Sequence, residues 1–194
     1  VLSGGGAKGV AHVSALKAIE EAGIPIDYIA GTSMGAIVAG LYAIGYDTNM
    51  LDSLFRSQDW DFLIYDKVSR RNLTFREKDS DEKYMLTMRL TQDRKLALPS
   101  GLIGGYNIYN LLYELTIGYH DEMSFSDLPI PFACMGYDMV TGESVTLDSG
   151  YLPDAIRASM SIPGAFQCVE IGDMVLVDGG IGNNFPVDVI RKMG

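Results

Sequence analysis

The chain has 194 residues, of which 47% are apolar, and a formal net charge of −10. This composition supports one substantial core and a single domain over 1–194, and excludes the low-hydrophobicity signature of disorder. The acidic balance disfavours nucleic acid and offers no polybasic attraction to anionic lipid, so transient contact with a membrane surface must be mainly apolar. No apolar run approaches the roughly 20 residues of a membrane helix and no signal-peptide pattern is visible, so a soluble chain is expected. Val1 at one end and a helix running to Gly194 at the other are expected to mark a piece of a longer protein.

Residues 1–9 read as the end of a strand followed by a glycine loop, and 10–22 as an amphipathic helix closed by Gly23. Residues 24–30 form a short apolar run suited to a buried strand, and 34–43 a helix rich in Gly and Ala. Strand, loop, helix, strand, sharp turn, helix is the opening of an α/β fold with a parallel sheet. Thr48 is expected to cap a helix through Gln58. Residues 84–90 and 95–98 read as a hairpin around Gln92-Asp93-Arg94, and 106–117 as another amphipathic helix. A strand over 132–137 turns at Thr141-Gly142-Glu143 into 144–147. A short helix follows over 152–160, then strands 169–171 and 174–177 around Gly172-Asp173, and a closing helix over 188–194. Cys134 and Cys168, without metal-site or disulfide spacing, are expected as two buried thiols.

Gly31-Thr32-Ser33-Met34-Gly35 fits the G-x-S-x-G nucleophile elbow, with an apolar strand before it and a small-residue helix after it, as that turn requires. Side chains at Gly31 and Gly35 would collide with neighbouring elements as the turn tightens. Gly4-Gly5-Gly6-Ala7-Lys8-Gly9 supports two readings. Its Gly4-x-Gly6-x-x-Gly9 spacing satisfies the dinucleotide fingerprint, but Asp27 precedes the core of the second strand instead of ending it, and Val10 denies the loop a P-loop ending. Alternatively, the loop turns backbone N–H groups toward Ser33 to hold an oxyanion, with Lys8 adding positive charge. Asp178-Gly179-Gly180 ends an apolar strand; taken alone it reads first as a turn former or helix cap. A serine hydroxyl needs a base, however, and neither His12, one turn into the first helix, nor His120, in a polar loop, has the late position of a triad histidine.

These three blocks together resemble the patatin-like phospholipases, over nearly the whole chain. The resemblance implies a three-layer α/β/α fold with a mostly parallel central sheet, and a Ser–Asp dyad, by position Ser33 and Asp178, that needs no histidine, metal or cofactor. It implies an oxyanion site built from Gly4, Gly5, Gly6, Lys8, Gly9 and Met34, with N–H groups of Gly5, Gly6 and Met34 on the oxyanion, and motif glycines at Gly31, Gly35, Gly179 and Gly180. Ala158-Ser159-x-x-x-Pro163 looks like a fourth family block that shapes the site. The family's loop often carries Arg where Lys8 stands, which keeps the charge but not bidentate binding. The implied activity is hydrolysis of a lipid or acyl ester through an acyl-enzyme, against two rivals: nucleotide binding by the glycine loop, or a silent lipid-binding module. Residues 59–126 match no motif. The opening segment is similar to bacterial members in which this domain precedes an outer-membrane barrel, implying a cell-envelope location and an anchoring domain outside this chain.

Overall fold

A computed structural model describes residues 1–68 and 101–194. The expected hairpin over 84–98 lies outside the described residues. In chain order, a 3₁₀ turn (Gly6–Val10) leads into α1 (Ala11–Glu21), β1 (Ile29–Gly31), α2 (Met34–Ala43), α3 (Thr48–Ser57) and α4 (Trp60–Ile64). β2 (Gly101–Ile103), α5 (Tyr106–Leu115), β3 (Met123–Ser124), β4 (Phe132–Asp138), β5 (Glu143–Leu147), β6 (Ser149–Gly150) and α6 (Leu152–Ser159) follow. The chain then forms β7 (Gly164–Phe166), β8 (Val169–Ile171), β9 (Met174–Asp178), a 3₁₀ turn (Gly179–Ile181) and α7 (Val187–Met193). Among the described residues no helix is long and apolar enough to cross a membrane.

β4 is the centre of the sheet and is buried along nearly its whole length. Phe132 and Cys134 point into the main core with residues of α2 and α6, while Ala133 and Met135 pack on Val189 and Met193 of α7. This alternation is the period-two geometry of a strand covered by helices on both faces, which gives the three-layer α/β/α arrangement. One edge of β4 carries β5 from Cys134 to Asp138. The opposite edge is shared: β1 runs parallel to it, with Gly31 opposite Cys134, and β9 runs antiparallel, with Asp178 opposite Gly136. β1 and β9 therefore meet with their carboxyl ends facing each other, two residues apart along β4.

The sheet is thus mixed, where a mostly parallel one was expected. Parallel pairing holds at the elbow, where Leu2, β1 and β4 lie side by side. Beyond it the tight turns at Gly142 and Gly172, both with positive φ, return the chain on itself and impose antiparallel partners.

Three local expectations are corrected. The strand expected over 24–30 begins only at Ile29, because Gly23, at φ 66°, and Ile24 donate to Glu20 and Ile19 and so still belong to the cap of α1. Asp47, not Thr48, caps α3: its carboxylate accepts from Met50 N at 2.8 Å, while the Thr48 hydroxyl donates to Glu20. Cys134 is buried in β4 as expected, but Cys168 lies in the connection between β7 and β8 and is only half-buried.

Candidate active site

The turn from β1 to α2 presents Ser33 with φ 56° and ψ −124°, a left-handed conformation that a non-glycine residue adopts only when its surroundings enforce it. The enforcement is visible in the glycines. A Cβ on Gly31 would strike the Gly35 carbonyl, and one on Gly35 would meet the carbonyl oxygens of Leu2 and Ser3. The chain at Leu2 is held by N–H groups on both sides of the exchange, Leu2 N to Ala30 O at 2.8 Å and Thr32 N to Leu2 O at 3.0 Å. The elbow and the glycine loop are consequently one backbone unit.

Ser33 Oγ donates to Asp178 Oδ2 at 2.7 Å, within a site where both residues are buried. The other carboxylate oxygen of Asp178 accepts from Gly180 N at 2.7 Å. Burial raises the Asp178 carboxyl above the ordinary aspartate range, and the hydrogen bonds from Ser33 and Gly180 partly oppose that rise. Gly179 allows β9 to end against the Met135 carbonyl, a place no side chain fits.

The end of α6 and the residues just after it grip both residues. Ser33 N donates to Ser159 Oγ at 3.0 Å, and Asp178 N donates to Ser161 O at 2.9 Å. Arg157, itself buried, bonds Ser161 Oγ and Gly104 O and lies over the Phe166 ring at 5.1 Å, which fixes this segment from behind; burial lowers its guanidinium from the usual range. Of these residues the Ser159 block was visible in the sequence. Ser161 and Arg157 carried no signal of their own, since each acts through a carbonyl or another side chain.

The glycine loop divides into two roles. Gly6 and Ala7 line the same pocket as Ser33. Among the described residues the N–H groups of Gly5, Gly6 and Met34 have no hydrogen-bond acceptor, leaving them available to an anion. Gly4 and Gly9 do not fit the oxyanion assignment. Gly4 N donates to Asn184 O at 3.3 Å, and a Cβ there would crowd Asn184 and Ser33 Cβ; Gly9 is buried against the Met34 side chain. Both are packing glycines. The Lys8 side chain is exposed and makes no contact with the pocket. Neither histidine bonds Ser33 or Asp178: His12 Nε2 bonds Ser3 O at 2.8 Å, and His120 bonds Tyr113 O at 2.9 Å.

Ser33 opens on a pocket of about 230 Å³ whose other lining groups, among the described residues, are apolar side chains or glycine. Trp60 and Ile64 of α4, Ile108 of α5, and Met160, Ile162 and Phe166 form its wall. Asp66 sets part of that wall. Its carboxylate accepts from Gly105, Tyr106 and Asn107 N–H groups at the start of α5, bringing Ile64 and Ile108 to the same cavity.

The chain is similar to known proteins over nearly its whole length. It is 33% identical over 196 residues to a patatin-like phospholipase domain-containing protein of Caenorhabditis elegans, covering 100% of this chain and 12% of that protein. It is 30% identical to an NTE family protein of Mycobacterium tuberculosis, covering 98% of this chain and 27% of the relative. Lysophospholipase NTE1 of Mycosarcoma maydis is 32% identical over 100% of this chain and 9% of its own length. The chain therefore spans only a small part of the relatives it matches. Its fold matches that of VipD from Legionella pneumophila with a TM-score of 0.58 at 15% identity, over 95% of this chain and 46% of that one. The sequence model of one family, described as patatin-like phospholipase, matches residues 1–191, which takes in the glycine loop, the elbow and the Asp178 turn alike. The chain belongs to the patatin-like phospholipase family.

Proposed function

We propose that this chain is a lipid acyl hydrolase that cleaves carboxylic esters with Ser33 as nucleophile and Asp178 as its base. The observation that carries the reading is the 2.7 Å hydrogen bond from Ser33 Oγ to a buried carboxylate, at the end of an apolar pocket. As Ser33 attacks the ester carbonyl, its proton passes to Asp178 Oδ2 and the oxyanion faces the N–H groups of Gly5, Gly6 and Met34. Collapse breaks the bond to the leaving alcohol, which takes the proton from Asp178. Water then gives a proton to Asp178 and attacks the acyl-enzyme; collapse frees the fatty acid and returns the proton to Ser33 Oγ. An ordinary aspartate, with pKa near ~3.9, is a weak base for a hydroxyl, and burial moves Asp178 in the helpful direction.

The substrate class is a single-chain acyl ester of the lysophospholipid kind, in keeping with a pocket lined by apolar groups among the described residues and with the similarity to Lysophospholipase NTE1 of Mycosarcoma maydis. Exposed Ile162, Ile181 and Phe185 supply apolar surface for transient contact with a lipid layer.

A fluorophosphonate probe is expected to label Ser33 alone, with ester hydrolysis and labelling lost together in Ser33→Ala. Peptide mapping that placed the adduct elsewhere overturns the assignment. Calorimetric titration with NAD, NADP and ATP is the control: saturable micromolar binding without hydrolysis favours nucleotide binding by the glycine loop instead.

A further inference from the structure

Two apolar spaces lie in succession beneath the nucleophile. The first is the pocket of about 230 Å³ that opens on Ser33. The second, about 10 Å³, is lined by residues that include Leu41, Leu54, Leu111 and Leu115, and Ser33 does not reach it. Ile37, Trp60 and Ile108 line both, so these three side chains stand between them. Helix α2 runs alongside the pair, with Met34 and Ile37 on the first space and Ile37 and Leu41 on the second. At ~1.5 Å of rise per residue, Ile37 is about 6 Å and Leu41 about 12 Å beyond Ser33 along that axis.

Trp60 is the largest member of the partition and is fixed twice. Its ring stacks on Phe55 with centroids 5.4 Å apart and planes inclined by 17°, and its indole N–H donates to Phe55 O at 2.8 Å. Swinging the indole aside loses the stack and leaves a polar group without a partner in an apolar region, a costly move. The partition is therefore a fixed wall.

We infer that Trp60 sets the length of the acyl chain this site accepts: the chain enters at Ser33, descends along α2 and stops against the indole. The inference rests on the hydrolase reading above. Removing the indole vacates the ring's own volume and joins it to the small second space, which extends the path from Ile37 toward Leu41 by about one helical turn, ~5.4 Å. With C–C bonds of ~1.5 Å at tetrahedral angles, each carbon advances an extended chain by about 1.3 Å, so the gain is about four methylenes.

The test compares the wild type with Trp60→Ala and the milder Trp60→Leu, each checked for folding by circular dichroism, on p-nitrophenyl esters from butyrate to palmitate. In parallel, inactivation rates are measured with alkyl fluorophosphonates of matching lengths. The chain length of maximal kcat/KM is expected to move up by about four carbons in Trp60→Ala and by less in Trp60→Leu. The preference for the longer over the shorter ester should rise at least about tenfold, a fraction of what burying four methylenes can supply. The phosphonate series should shift in the same way, because labelling needs only chain entry and an active Ser33. If the wild type cleaves esters and both folded variants keep its length profile, the partition is wrong and the hydrolase reading stands. If no ester is cleaved and no phosphonate labels Ser33, the hydrolase reading itself falls, and the acyl chain stop with it.

Discussion

The frame that holds Ser33 and Asp178 and the wall of the pocket they open on are built on opposite plans. In the frame the close neighbours are backbone atoms: Gly31 lies against the Gly35 carbonyl, Gly35 against Leu2 and Ser3, and Gly179 against Met135. None of these can yield, because moving a carbonyl moves a strand. In the wall the neighbours are side chains of Trp60, Ile64, Ile108, Met160, Ile162 and Phe166, drawn from separate stretches of chain. Side chains can be exchanged for others of similar volume at modest cost. On the proposed mechanism the bond-making atoms are thus set by main-chain geometry and substrate shape by replaceable side chains, so changes in the frame should act as switches and changes in the wall as graded adjustments.

The strongest way to break this contrast is Asp178→Asn, which keeps the shape of the frame and removes only the proposed base. kcat should fall by about 10² to 10⁴, the usual contribution of a general base. Stability should move the other way. Burial raises the folded-state pKa of Asp178, so ionising it favours the unfolded chain, and this penalty is present at neutral pH and relieved as pH falls through the raised value. The variant should therefore melt at the same temperature as the wild type or higher near neutral pH, with any gain vanishing in acid. Lower stability at neutral pH, measured by thermal melting, contradicts the assignment of burial as the dominant effect.

Ser159→Ala probes the frame more gently. The Ser33 N–H would lose its buried acceptor, and about 1–3 kcal/mol of stability should go with it, with a smaller loss of kcat than in Asp178→Asn. Urea denaturation and steady-state kinetics on the same sample decide whether the hydroxyl matters as described. The smallest effects are expected from His12→Ala and His120→Ala. Each should stay within about tenfold of wild-type kcat, ~1.4 kcal/mol of barrier, since one imidazole bonds the Ser3 carbonyl and the other lies between Tyr113 and Tyr151. A folded histidine variant as inactive as Ser33→Ala points to a triad instead.

The same contrast explains what could be read from the residues alone. Gly31, Ser33 and Gly35 were legible because a backbone contact that admits only glycine leaves that glycine at a fixed spacing from the serine, whereas Asp178 was singled out only through the family resemblance. Helix α2 matched its expected bounds, and the hairpin turns at Gly142 and Gly172 were legible as turn chemistry. The pocket was not legible. Trp60, Ile64 and Ile108 lie in the stretch without motifs, and an apolar residue facing a substrate has the same composition as one facing the core. The assignment of Gly4 and Gly9 as anion donors failed for a related reason: spacing identifies where glycine is needed, but not whether a free N–H or a close approach requires it. The extent of parallel pairing was also misjudged, since strand direction depends on which edge of β4 each strand takes.

The head-on meeting of β1 and β9 along β4 also bears on when the site comes into being. The hydrogen bond from Ser33 to Asp178 joins residues 145 positions apart. Closing so long a loop adds little to its final free-energy cost, which grows only with the logarithm of length, but contacts this distant in sequence slow the folding that creates them. On the ribosome the nucleophile and its glycine loop emerge first and the carboxylate much later. On the proposed mechanism, a nascent or half-folded chain would carry a serine with no base and would acquire reactivity only once β9 has docked beside β1. Phosphonate reactivity at Ser33 would then report the last long-range step of folding, and partially folded chains would be safe by construction.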